Sequence, residues 1–225
     1  MVCRLPFARL PCTRRGPGSI VADDGSFKDG EVCGLGPGRL VLLVGPSGAG
    51  KDAVLRQARG RMAARQQFVF VRRVVTREPD GTEDHDCVSA KEFSARLRQG
   101  RFALSWQAHG LNYGIPVEID EAVRSGGCVV LNASRMIIAG ARARYRNVAV
   151  VLIDAPAELR ADRLAKRRRE HAFELAARLA RATGFQPTDA DLTIENAGAL
   201  TVAAVTLVDW LLAGEPGAAQ SASGD

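Results

Sequence analysis

The sequence predicts an α/β fold, a doubly wound parallel sheet with helices on both faces. Three observations carry that expectation. The apolar run Leu40-Val-Leu-Leu-Val44 ends in Gly45-Pro-Ser-Gly-Ala-Gly-Lys51-Asp52, and a helical pattern follows it. Two further runs, Cys128-Val-Val-Leu131 and Val148-Ala-Val-Val-Leu-Ile153, are apolar throughout, as strands buried on both faces must be. Helical patterns separate these runs, and strands that alternate with helices form parallel crossovers.

In chain order, residues 1–37 mix Arg, Pro and Gly without periodicity and read as a flexible basic extension. Asp23, Asp24, Asp29 and Glu31 argue against a targeting peptide there. A single domain is expected over 38–213. After the glycine-rich loop, Val54, Leu55, Ala58 and Met62 give a helix over about 52–64. Phe68-Val-Phe-Val71 with Val74-Val75 suggests one second buried strand. Residues 76–127 are more polar, with short elements and two helical patterns, and look like a substrate-binding insertion. The strand at Cys128 follows, then a helix over 136–146, the strand at Val148, and helices over 157–168 and 172–182. Leu192-Thr-Ile194 is a short last strand and 200–212 a closing helix. The Gly/Ala/Ser-rich stretch 214–225 reads as a flexible tail.

A chain of 225 residues, 46% hydrophobic, can bury a sizeable core. No apolar run approaches the roughly 20 residues that cross a bilayer, so no membrane association is expected. The net charge of +6 invites a nucleic-acid reading, but aromatic residues make up only 5% and no RNA-binding aromatic motif is present. Phosphorylated small molecules account for the basic residues equally well. Cys3, Cys12, Cys33, Cys87 and Cys128 are odd in number and form no C-x-x-C pair, which points to reduced thiols in a cytoplasm and away from a cysteine-ligated metal.

Gly45, Pro46, Ser47, Gly48, Ala49, Gly50 and Lys51 have the spacing G-x-x-x-x-G-K between a buried strand and a helix start. That is the phosphate-binding loop of a P-loop NTPase. The glycines let backbone N–H groups close around an anion, the helix start adds partial positive charge, and Lys51 reaches the outer phosphates. ATP is the expected donor and Mg²⁺ the expected ion. Asp52 stands where a Ser or Thr hydroxyl normally serves Mg²⁺. A carboxylate is also a hard oxygen ligand, directly or through water, and the other reading is that Asp52 only caps the helix.

The chain lacks the Asn-Lys-x-Asp guanine reader of GTPases. It carries instead a series of arginines, Arg72, Arg73, Arg77, Arg135, Arg163, Arg167, Arg169 and Arg178. Phosphoryl transfer between two polyanions needs charge neutralisation above all, and Arg supplies it in permanently charged, bidentate form. A small-molecule kinase is the leading class.

Thr76-Arg77, Glu83, Val88-Ser-Ala-Lys-Glu-Phe93, Gly100-Arg-Phe102, Gly110-Leu-Asn-Tyr-Gly114 and the basic stretch from Arg163 to Arg178 resemble the guanylate kinase superfamily over about 38–213. The resemblance implies an acceptor-binding region over 76–127 and a helical lid over 163–178, whose closure would exclude water. Guanylate kinases read guanine with a Glu after the Gly-x-Phe turn and an Asp on the next core strand. Here Leu104 takes the first place and, by alignment, Ser134 the second. Asp80 replaces the last Arg of the family's T-R-x-P-R run. Guanine's ring N–H and amino donors would be left without acceptors, at about 1–3 kcal/mol each.

The departures have their own pattern. The loop ending Lys51-Asp52, with Thr76-Arg77, Glu83-Asp-His85, Phe102-Ala-Leu-Ser-Trp106, Tyr113-Gly114, Val117-Glu-Ile-Asp120, Leu131-Asn-Ala-Ser-Arg135, Ala141-Arg-Ala-Arg-Tyr145 and Glu195-Asn196, closely resembles the ribose 1,5-bisphosphate phosphokinases of phosphonate (C–P lyase) metabolism. The resemblance implies transfer of the γ-phosphoryl group of ATP to the 1-phosphate of ribose 1,5-bisphosphate, forming 5-phosphoribosyl 1-diphosphate (PRPP). An ionised phosphate as acceptor needs no general base.

Lys51, Arg163, Arg167 and Arg178 are then the catalytic candidates, and Asp52 the metal-orienting one. The alternative for any one of the lid arginines is a helix-surface ion pair with Glu170 or Glu174. Arg73, Arg77, Arg135 and Tyr113 are candidates for the acceptor's phosphates. Glu83, His85, Asn132 and Ser134 are candidates for its sugar; Glu83 and His85 could instead hold an arginine, and a surface role is the other alternative for His85. Trp106 and Phe102 are expected to pack. Three other readings stay open: a guanylate kinase, a catalytically inactive guanylate kinase-like binding module, and, on net charge alone, a nucleic-acid binder. The oligomeric state is open as well, a homodimer included.

Overall fold

The computed structural model describes residues 34–77, 85–108, 110–166 and 189–214. Glu83, Arg167, Arg178, the expected helix 172–182 and the segments 1–33 and 215–225 lie outside these.

Five strands form the main sheet: β1 (Leu35–Val44), β2 (Phe68–Val71), β7 (Cys128–Asn132), β8 (Tyr145–Asp154) and β9 (Leu192–Glu195), in the order β2-β7-β1-β8-β9. All four pairings are parallel; Leu42, for example, lies opposite Leu131 on one side and Val150 on the other. Successive side chains of a strand point to opposite faces, and here both faces are covered. Leu40, Leu42 and Val44 join one apolar cluster with Val129, Leu131, Val150 and Leu152. Val41 and Leu43 join the other with Val130, Val151 and Ile153. This is why the strands read as unbroken apolar runs. Each such Leu or Val contributes about 1.5–3 kcal/mol by leaving water.

Helices α1 (Lys51–Arg61) and α6 (Leu200–Ala213) cover the second face through Val54, Ala58, Ala203, Leu207 and Leu211. Helices α3 (Ile119–Arg124) and α4 (Ile138–Arg144) cover the first through Ile119, Val123 and Ala141. A short 3-10 turn, Arg135–Ile137, precedes α4, and α5 (Ala157–Lys166) follows β8. The chain leaves β1 toward β2 on one side and returns to β8 on the other. The carboxyl end of β1 is therefore the switch point, where ligands bind in open α/β sheets.

A second sheet, ordered β4-β3-β6-β5, consists of β3 (Arg73–Val75), β4 (His85–Cys87), β5 (Phe102–Ala108) and β6 (Leu111–Pro116). It revises the single strand expected over 68–75: the chain passes between sheets at Arg72, whose Nη2 donates to the His85 carbonyl (3.0 Å) and pairs with Asp86 (3.0 Å). Helix α2 (Ala90–Arg98) starts at a capping Ser-x-x-Glu, with Ser89 Oγ accepting from the Glu92 N–H at 3.1 Å. Its Phe93 stacks on Phe102, ring centroids 4.6 Å apart.

Three other boundaries move. β1 begins at Leu35, ahead of the expected domain start at 38, because Leu35 pairs with Tyr145. The expected helix 136–146 gives up Tyr145 and Arg146 to β8. Helix α3, expected within the acceptor insertion, packs on the main sheet. Its Asp120, 4% exposed, binds Tyr145 Oη (2.6 Å) and the Arg144 Nε (3.2 Å) and Nη2, joining α3, α4 and β8. Burial, then the hydrogen bond to Asp120, pushes the Tyr145 hydroxyl well above its ordinary pKa. That same carboxylate, chiefly through its hydrogen bond and against desolvation, raises Arg144.

Candidate active site

The loop after β1 closes through backbone that only glycine adopts readily. Gly45 has φ 148° and Gly50 φ 90°. A Cβ on Gly45 would lie 2.0 Å from the Ile153 carbonyl oxygen, and one on Gly50 2.4 Å from Asn196 Nδ2. Lys51 opens α1 and folds back along the loop, its Nζ donating to the carbonyls of Gly45 (2.8 Å) and Pro46 (3.0 Å).

Behind the loop stands Asn196, just past β9 and 3% exposed. Its Nδ2 donates to the Ala49 carbonyl at 2.8 Å, and its own carbonyl accepts Arg163 Nη2 at 2.9 Å. Arg163 Nη1 also lies 3.4 Å from the carbonyls of Gly48 and Ala49. With these carbonyls turned toward Asn196 and Arg163, the loop is braced from behind. Arg163, expected in a lid, here braces the loop from α5. The sequence pattern includes Asn196 but gives it no role. The readable signal was a polar residue at the carboxyl end of a core strand.

Asp52 occupies the first turn of α1, where helix polarity favours a carboxylate. Its Oδ1 accepts from Asn132 Nδ2 at 2.5 Å and lies 3.7 Å from Arg73 Nη2. A small cleft between α1, β2 and β7 is lined by Asp52, Leu55, Arg56, Arg59, Phe70, Val71, Arg73 and Asn132. Arg73 comes from the second sheet, and its guanidinium sits 5.5 Å from the centre of the Tyr113 ring. Tyr113 stacks in turn on Trp106, centroids 5.1 Å apart and planes 8° from parallel. Lys51, Asp52, Asn132, Arg73, Tyr113 and Arg163 are thus gathered at one end of the main sheet and the facing edge of the second.

The other candidates are placed differently. His85 is buried, 6% exposed, and in register beside Arg73, so the surface reading for it is set aside. Ser134 lies beyond the end of β7, and its Oγ accepts from the Met136 N–H (3.3 Å) to cap the 3-10 turn. Arg135 begins that turn and Arg77 follows β3, both half-buried. Thr76 joins the sheet by accepting the Asn112 N–H on Oγ1 at 2.8 Å. Leu104, aligned with a guanine-reading carboxylate, pairs with Ile115 and belongs to the core.

Among the described residues no group of three His, Cys, Asp or Glu side chains could hold a metal alone. Mg²⁺ in phosphoryl-transfer sites takes one or two carboxylates plus substrate phosphates. Asp52 beside a glycine cradle fits that donor set. No described helix is long and apolar enough to cross a membrane.

No family model matches the chain. It is 50% identical over 177 residues to the ribose 1,5-bisphosphate phosphokinase PhnN of Methylobacterium radiotolerans, covering 79% of this chain and 99% of the relative. It is 55% identical over 159 residues to that of Acidiphilium cryptum, covering 71% and 84%. Among solved structures, the guanylate kinase of Anaplasma phagocytophilum superposes with TM-score 0.59 at 18% identity, over 78% of this chain and 85% of that one, which speaks for the fold. On these identities and coverages, the chain belongs to the ribose 1,5-bisphosphate phosphokinase family, built on a guanylate kinase-like P-loop fold.

Proposed function

We propose that this protein transfers the γ-phosphoryl group of ATP to the 1-phosphate of ribose 1,5-bisphosphate, yielding 5-phospho-α-D-ribose 1-diphosphate, a step of phosphonate breakdown and PRPP supply. The observation that carries the proposal is the makeup of the wall facing the loop. Arg73, Tyr113 and Asn132 line it with a cation and polar groups suited to a sugar phosphate, while Leu104 is buried in the core. Two relatives matched over 84% and 99% of their length carry the name of that activity.

In this reading Lys51 exchanges the carbonyls of Gly45 and Pro46 for β- and γ-phosphate oxygens and follows the charge as it moves. Asp52 and the donor phosphates would hold Mg²⁺, which would supply charge neutralisation. Arg73, with Arg77 and Arg135, takes the acceptor phosphates, and Tyr113 holds Arg73 by its ring face. The acceptor oxygen is already ionised near neutral pH, so the chain provides orientation and positive charge and no proton acceptor. A cytoplasmic setting accords with this chemistry.

A coupled ADP assay offering ribose 1,5-bisphosphate and GMP in parallel tests the proposal. Turnover is expected with the bisphosphate and lost by about 10²–10³-fold in Lys51→Ala, the cost of removing one transition-state donor. ADP formation with GMP alone would make the protein a guanylate kinase.

A further inference from the structure

Two side chains from different sheets converge on one oxygen of Asp52. Asn132 reaches Oδ1 from the carboxyl end of β7 at 2.5 Å, and Arg73 approaches it from β3 at 3.7 Å. The contact is sheltered: Arg73 and Asp52 side chains are 15% and 17% exposed, and Asn132 is 5% exposed. The Asn132 Oδ1 is buried and accepts no hydrogen bond among the described residues. An unsatisfied buried acceptor is unfavourable, and packing alone would be better served at this position by an apolar residue like its strand neighbours Val130 and Leu131.

We infer that Asn132 is a positioning residue acting through Asp52, and that Arg73 couples Asp52 to the acceptor. The inference rests on the reading of Asp52 as the carboxylate that serves the metal. Asn132 fixes Oδ1 and so leaves Oδ2 as the oxygen with which a hard cation or its water is to be met. Arg73 offsets the carboxylate's charge as long as its guanidinium stays near. An acceptor phosphate that engages Arg73 draws it from Asp52, and a cation at Asp52 displaces it from the other side. Both ligands weaken the same ion pair, so each favours the other, and the coupling is reciprocal.

The test uses the full-length protein with ADP and Mn²⁺ as the probe, free Mn²⁺ being followed by electron paramagnetic resonance. Asn132→Ala and the milder Asn132→Ser are expected to weaken Mn²⁺ binding about fivefold, the low end of linked-site coupling. Metal-free ADP binding should stay unchanged, which reports an intact fold. Asp52→Asn should weaken Mn²⁺ further, and adding Asn132→Ala to it should cost nothing more, as befits a residue that acts through Asp52. Arg73→Gln should tighten Mn²⁺ about three- to tenfold by removing a charge a few ångströms away.

Wild-type affinity in both Asn132 variants overturns the inference, as do losses that multiply in the double variant or an Arg73→Gln that leaves Mn²⁺ unchanged. If Asp52→Asn itself has no effect, the metal role of Asp52 falls and takes the inference with it. No sugar phosphate enters this experiment, so the choice of acceptor stands or falls separately.

Discussion

Replacing Gly50 by alanine brings two faults to one residue. Its φ of 90° is left-handed, which costs an L-residue about 1–2 kcal/mol. The new methyl would also sit 2.4 Å from Asn196 Nδ2, which must move and give up its 2.8 Å bond to the Ala49 carbonyl. That loss adds about 0.5–1.5 kcal/mol. The combined effect is roughly 1.5–3.5 kcal/mol, a factor of about 10–400 at 1.36 kcal/mol per tenfold. If the loop keeps its shape, the loss appears as a lower urea midpoint; if it relaxes, it appears as weaker ATP binding in calorimetry. Gly60 is the control: it lies in α1 with open space around its Cβ position, so Gly60→Ala should be neutral or stabilising by up to about 1 kcal/mol. A Gly50→Ala protein with wild-type midpoint and wild-type ATP affinity would refute the reasoning.

Two further predictions concern the core around the site. Leu104→Glu should not create a guanylate kinase, because position 104 is 8% exposed and packed in the core. A carboxylate without a partner there is expected to destabilise by roughly 3–5 kcal/mol; GMP turnover in a folded variant would contradict this. Tyr145→Phe removes a hydroxyl donating to buried Asp120 and should cost about 1.5–3 kcal/mol at pH 8. Folding raises this hydroxyl's pKa above the unfolded value near 10, so its contribution is complete below about pH 10 and is lost as pH rises toward the folded value, by about 1.4 kcal/mol per unit. Urea midpoints at pH 8, 10 and 11 should show the gap between wild type and Tyr145→Phe closing, and a constant gap would count against the assignment.

The features that the sequence by itself determined are those set by neighbours along the chain. Unbroken apolar runs announce strands buried on both faces, and Leu40 to Val44 with its alternate residues in two clusters bears that out. The spacing from Gly45 to Lys51 specifies a loop whose glycines adopt conformations other residues avoid. Ser89 with Glu92 marks the start of α2. The family and its fold were legible for the same reason, since their signatures are short motifs.

What only the tertiary structure decided are contacts between residues far apart in the chain. The run over 68–75 looks like one strand locally, yet it divides between two sheets because its pairing partners differ, β7 for Phe68–Val71 and β6 for Val74 and Val75. His85 gives no local sign of burial, and Ser134 none that it caps a turn while Asn132 faces the loop. Asn196 meets Ala49 across 147 positions and Asn132 meets Asp52 across 80. Periodicity and spacing carry no information about such pairs: they arise only when parallel crossovers bring the carboxyl ends of β1, β7 and β9 to one edge of the sheet, where a carboxylate, two carboxamides and the phosphate loop come within hydrogen-bonding reach.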